Sequence, residues 1–131
     1  MKQILAMQLE LQQLIAKNSG RIMDCPSTYG GAVSNLEMAT FIKEQAFFLQ
    51  QEIVELAEEF GGKDILKPWK TNHINAASNI AKVTAESKSE AIDALCFCLN
   101  ICLAVGITPE NINDEYNKVF NKNVLRQMKG Y

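Results

Sequence analysis

Apolar residues recur at the spacing of one helical face over most of the chain, and no stretch sustains the two-residue alternation of a half-buried strand. Helix against helix is then the only way to bury those side chains, so the chain reads as all-α, a bundle of four to five helices. Lys2 to Lys17 carries apolar residues at 4, 5, 7, 9, 11, 14 and 15, and Asn18 to Gly20 should end that first helix. Pro26 and the pair Gly30 and Gly31 read as a loop reaching Asn35. Ser34 and Glu37 have the spacing of a capping box, in which each side chain reaches the other's backbone N–H. They open a second helix running to about Phe60, with Gly61 and Gly62 as its stop. Ser87 and Glu90 offer a second such box ahead of a helix over Ala91 to Val105, which Gly106 ends. Thr108, Pro109 and Glu110 supply a cap, a first-turn proline and an acidic first turn for a last helix toward Met128. Between the second and third long helices, Lys67 to Lys70 reads as a turn and Asn72 to Val83 as a short helix.

A length of 131 residues suits a single domain, 1–131, able to bury a core without staples. A net charge of −2 and 13 scattered Lys and Arg exclude the concentrated basic patch that nucleic acid demands. The longest apolar run, Ala94 to Val105, contains Asn100 and is too short to cross a bilayer. The N-terminal stretch mixes polar and apolar residues, unlike a signal peptide. A cytoplasmic location with no membrane partner is expected. Cysteines at 25, 96, 98 and 102 do not have zinc-ligand spacing and read as free thiols filling a core.

The charge pattern is more specific. On a helix advancing about 100° per residue, Glu52, Glu55 and Glu59 fall on one stripe with Phe48, while Glu58 points away. A stripe shared with Phe48 is not merely a solvated face. The third long helix repeats the spacing: Glu90 and Asp93 stand three apart, with Phe97 and Asn100 following on the same side. If the two helices pack antiparallel, the pairs converge into a self-repelling site with a formal charge of at least −4. Carboxylate oxygens without neighbouring His or Cys suit a hard cation, Mg²⁺ with Mn²⁺ as a possible substitute, and such a site serves phosphate chemistry. Lys122, Asn123, Arg126 and Lys129 then gather at the end of the last helix. They complement its dipole and can also meet phosphate oxygens, which together with the acids describes a polyphosphate clamp.

These features resemble the all-α nucleoside triphosphate pyrophosphatase superfamily, which includes the dimeric dUTPases, phage dCTP/dUTP pyrophosphatases and MazG-like proteins. The resemblance rests on Glu52 to Leu56, Glu90 to Leu95, the turn Gly106 to Glu110 and the stretch Asn123 to Tyr131, and so spans most of residues 45–131. Met7 to Gln12 is similar, more loosely, to the dUTPase helix that meets the base, and the turn holding Trp69 is similar to a Trp-containing turn between the acidic helices. The family implies Mg²⁺ on Glu52, Glu55, Glu90 and Asp93, and hydrolysis of a nucleoside triphosphate to the monophosphate and pyrophosphate. It implies substrate contacts at Gln8, Gln12, Trp69, Lys122, Asn123 and Arg126, and a homo-oligomer, dimer or tetramer. The helical stripe adds Glu59, as a further ligand or water-orienting base, and Phe97 and Asn100 in the substrate pocket. Cys96 stands where the family has His, and Gln12 where the dUTPases have Asn, so the base is open: dUTP or dCTP is favoured, with a purine nucleotide allowed. The competing expectation is a non-catalytic helical module that binds a nucleotide or a protein and keeps its acids as solvated surface.

Overall fold

The structure is a computed structural model that describes residues 1–19, 25 and 33–130. It has five helices: α1 (Lys2–Ser19), α2 (Asn35–Glu58), α3 (His73–Ser78), α4 (Ala85–Ala104) and α5 (Ile112–Met128). No strand occurs among the described residues, as the missing alternation predicts. Asn18 and Ser19 extend α1 rather than ending it, and the predicted loop residues Pro26, Gly30 and Gly31 lie outside the described residues.

The helix ends follow from local hydrogen bonding. At the start of α2 the predicted box forms: the Ser34 backbone N–H donates to Glu37 Oε2 at 2.7 Å, and the Glu37 N–H donates to Ser34 Oγ at 3.2 Å. Hydrogen bonding to the Ser34 backbone N–H, and then to the Ser34 side chain, holds the Glu37 carboxyl below its ordinary value of 4.5. The box predicted at Ser87 and Glu90 does not form. α4 begins one turn earlier, where the Thr84 N–H donates to Ser87 Oγ at 3.0 Å and the Ser87 N–H donates to Thr84 Oγ1 at 3.1 Å. Ser87 is buried by this bonding, and Glu90 sits inside the helix with its side chain released from any capping role. Ahead of α5 an analogous exchange joins Thr108 to Asn111, at 2.8 and 3.3 Å.

Two glycines end the long helices as their left-handed backbone allows. Gly62 has φ +84° and returns its N–H to the Glu58 carbonyl at 2.7 Å, closing α2. Gly106 has φ +85°; its N–H meets the Leu103 carbonyl at 3.1 Å and that of Ile107 meets Cys102 at 3.0 Å, closing α4. The predicted turn at Lys67 to Lys70 is present, with the Lys70 N–H on the Lys67 carbonyl at 2.9 Å. The predicted short helix contracts to α3, six residues with none buried.

The chain divides into two compact units, Met1–Ile42 with Leu99–Tyr131, and Lys43–Cys98. In the first, Leu5, Phe41, Leu99, Leu103 and Ile112 are buried, each contributing about 1.5–3 kcal/mol by removing apolar surface from water. The second comprises the later part of α2, the connection carrying α3, and the earlier part of α4, with Ala94 buried. No helix is long and apolar enough to cross a membrane among the described residues. All four cysteines are free thiols; Cys25 is buried as expected of a core residue, whereas Cys98 is exposed and Cys96 and Cys102 are half-buried. The exposure of Cys98 corrects the expectation that the α4 cysteines all fill a core, because their offsets around the helix turn them in different directions.

Two substitutions test these ends. Thr84→Ala removes the α4 cap and should lower unfolding free energy by about 1 kcal/mol in urea denaturation. Gly62→Ala forces a side chain into left-handed backbone and should cost about 1–2 kcal/mol.

Candidate metal centre

Within the second unit, α2 and α4 run in opposite senses past one another. Phe48 packs on Phe97, ring centroids 5.6 Å apart at 32°, and one turn later along α2 the carboxylates of Glu52 and Glu55 meet that of Glu90, two turns earlier along α4. Four-residue spacing keeps Phe48 and Glu52 on one face of α2, and seven-residue spacing does the same for Glu90 and Phe97 on α4. One oxygen from each of Glu52, Glu55 and Glu90 lies within 4.8 Å of the others. This is the convergence of acids from two helices that the sequence spacing predicts.

The electrostatics register the crowding. Glu52 is half-buried, and its carboxyl is raised above its ordinary value of 4.5, first by burial and then by the charges of Glu55, Asp93 and Glu90, with a hydrogen bond to Glu90 adding to the shift. Asp93 is exposed and stands outside the group of three, yet its charge reaches Glu52. It also reaches Cys96, whose thiol is pushed up by burial and then by Asp93. Cys96 is therefore a protonated thiol at neutral pH, without the thiolate that a nucleophile or soft metal ligand requires. Among the described residues no Lys or Arg forms an ion pair with Glu52, Glu55, Glu90 or Asp93.

Three carboxylate oxygens gathered in this way form an acidic cluster that could hold a metal ion. The cluster contains carboxylate oxygens and no nitrogen or sulfur.

Beside the cluster, Glu55, Glu58, Glu59, Gly62, Lys63 and Glu90 line a cleft of about 570 Å³. Glu58, expected off the acidic stripe, is absent from the three clustered carboxylates and borders the cleft. It is the last residue of α2 and stands three residues after Glu55, so it borders the cleft beside Glu55 while lying off the stripe of Glu52. Glu59, beyond the last helical residue, is exposed and lines the cleft without joining the three clustered carboxylates. Lys63 carries no site signal in helical periodicity; the available clue is its position directly after the Gly61 and Gly62 stop, which folds the next residue back onto the helix end.

The remaining predicted residues fall in two groups. In the second unit Phe97 is half-buried against Phe48, and Trp69 is 75% exposed, so it covers no core of that unit. In the first unit Gln8, Gln12 and Asn100 are buried, with Gln8 Nε2 donating to Asn100 Oδ1 at 2.7 Å. Lys122, Asn123 and Arg126 are exposed on α5 of that unit. His73 is half-buried with Nδ1 3.4 Å from the Asp64 carbonyl oxygen, a structural contact.

No protein-family model, curated protein or solved structure matches the chain.

The raised Glu52 carboxyl gives a pH test. The native state keeps a proton that the unfolded chain has released, so without divalent ions stability should fall as pH rises from 4.5 through the raised range. Glu52→Gln should flatten that slope in melting-temperature scans. Saturating Mg²⁺, which binds the ionised form, should raise the wild-type melting temperature at neutral pH and leave the variant's nearly unmoved.

Proposed function

We propose that the protein is a Mg²⁺-dependent nucleoside triphosphate pyrophosphatase of the MazG-like and dimeric dUTPase-like kind, releasing a nucleoside monophosphate and pyrophosphate, with dUTP or dCTP favoured. The observation that carries this reading is the meeting of Glu52, Glu55 and Glu90 from two antiparallel helices within 4.8 Å. Acidic spacing on one helix is common by chance, whereas here carboxylates from two helices come together, and Glu52 is raised first by burial and then by the charges of Glu55, Asp93 and Glu90.

Mg²⁺ bound there supplies Lewis acidity toward phosphate oxygens and lowers the pKa of water. Glu52, Glu55 and Glu90 provide its oxygen donors, and Asp93 adds negative charge at the same face. Glu58 and Glu59, on the cleft wall, are placed to accept a proton from water entering it. Phe48 and Phe97 form an apolar wall on the side of the acids away from that cleft, which limits water there and strengthens the charges.

The same reading takes the protein as a homo-oligomer. Ile4, Met7, Leu11 and Leu14 of α1, and Tyr116, Phe120 and Val124 of α5, are exposed apolar side chains at helical spacings. Contiguous apolar surface of this kind is ordinarily covered by a protein partner.

Incubation with each deoxynucleoside triphosphate should yield monophosphate and pyrophosphate from a pyrimidine nucleotide, with product lost on adding EDTA. Glu55→Ala and Asp93→Ala should each reduce kcat by at least about a hundredfold in folded protein. Turnover unchanged in both variants would remove the acids from the chemistry, and no turnover of any nucleotide would favour a binding module. Sedimentation velocity should show a dimer or tetramer.

A further inference from the structure

We propose that the groove on α2 beside the acids is a nucleobase subsite, in which the Phe47 ring stacks on the base and the Gln50 and Gln51 amides meet its hydrogen-bonding edge; this rests on the reading of the acids as the seat of a metal-bound nucleoside triphosphate. Phe47, Gln50, Gln51, Val54, Glu55 and Glu58 line a cavity of about 460 Å³, and sites for small molecules span roughly 300–1,000 Å³. Glu55 and Glu58 line the acidic cleft as well, so the two cavities adjoin along those side chains. A cation bound alone makes no use of the aromatic and amide half. A ligand that joins a planar heterocycle to a chain of phosphates makes use of both.

The helix accounts for the division. Phe47, Gln51, Val54 and Glu58 are spaced by four, three and four residues, which is one face of α2, while Phe48 and Glu52 lie about 100° further round. Glu55 falls between the two faces and belongs to both the acid cluster and this cavity. Phe47 meets Phe48 edge to face, ring centroids 5.8 Å apart at 65°, and Phe48 in turn packs on Phe97. That contact braces the Phe47 ring and leaves the residue 58% exposed beside the cavity. An aromatic ring already braced loses little freedom on stacking, and every base offers it a π-face. Gln50 and Gln51 are exposed, and each amide carries donors and an acceptor together, so the pair can meet the edge of uracil or of cytosine.

Calorimetry on the full chain in saturating Mg²⁺ separates the two halves, with α,β-imido-dUTP, which resists cleavage at that bond, and inorganic tripolyphosphate as probes. Phe47→Ala should weaken the imido nucleotide about tenfold and leave tripolyphosphate unchanged, while Phe47→Trp keeps near wild-type affinity for both. Replacing Gln50 and Gln51 together by Ala should weaken the imido nucleotide about fivefold, again without touching tripolyphosphate. A Phe47 that only braces Phe48 would, on replacement by Ala, weaken both ligands alike or lower the melting temperature and change neither, and each of those results would overturn the inference. So would a wild type that binds the imido nucleotide no more tightly than tripolyphosphate. If the imido nucleotide binds with the predicted Phe47 dependence yet no nucleotide is hydrolysed, the pyrophosphatase reading falls and the subsite stands. If wild type hydrolyses a nucleotide while Phe47→Ala binds the imido nucleotide like wild type, the subsite falls and that reading stands.

Discussion

Like-charge repulsion across a helix pair is the constraint on which the second unit turns. Glu52 is half-buried one turn along α2 from the Phe48 that meets Phe97, and it shares that position with Glu55 and Glu90. Aromatic packing can hold two helices together without any acids, so the carboxylates are a load that the packing carries and not its source. A folded chain tolerates such a load when something outside it, a proton or a cation, takes up the charge. The raised Glu52 carboxyl is the proton answer, and on the proposed function a divalent ion is the other.

How much of this could be read from the residues depends on what kind of signal each feature leaves. The helices and their glycine stops were legible because they are local: Ser34 with Glu37, and Gly62 and Gly106, act within five residues of themselves. The start of α4 misled because two overlapping patterns compete, Thr84 with Ser87 and Ser87 with Glu90. The earlier pair wins by burying Ser87 and adding a turn of helix, and a pattern three residues long contains no term for that burial. The same choice frees Glu90 for the acidic cluster. Three-residue spacing foretold the facing carboxylates, since α2 and α4 are regular there. It describes the chain only as far as Glu58, where α2 ends, and carries no information on residues beyond Gly62.

The first unit shows another kind of polar constraint. Gln8 and Asn100, from α1 and α4, are buried and hydrogen-bonded to each other at 2.7 Å, and Cys25 Sγ contacts the Asn100 carbonyl at 3.7 Å. A buried amide left without a partner costs about 1–3 kcal/mol, so this pairing fixes the register in which the two helices meet. No described buried side-chain polar atom lacks a partner. The apolar stripe of α1 foretold a helix facing a core, but that Gln8 and Gln12 would be buried with it was not visible in the periodicity, because Gln reads as a surface residue.

The claim at the centre is that the carboxylates of α2 and α4 form a cation site. The most direct measurement is a Mn²⁺ titration followed by electron paramagnetic resonance, which reads free ion as its six-line spectrum. The account predicts that wild type removes Mn²⁺ from that spectrum, that Mg²⁺ returns it, and that Glu52→Gln and Glu55→Gln each lose the effect while remaining folded. A free-ion spectrum untouched by the wild-type protein would contradict it and leave the acids as a strained but solvated face.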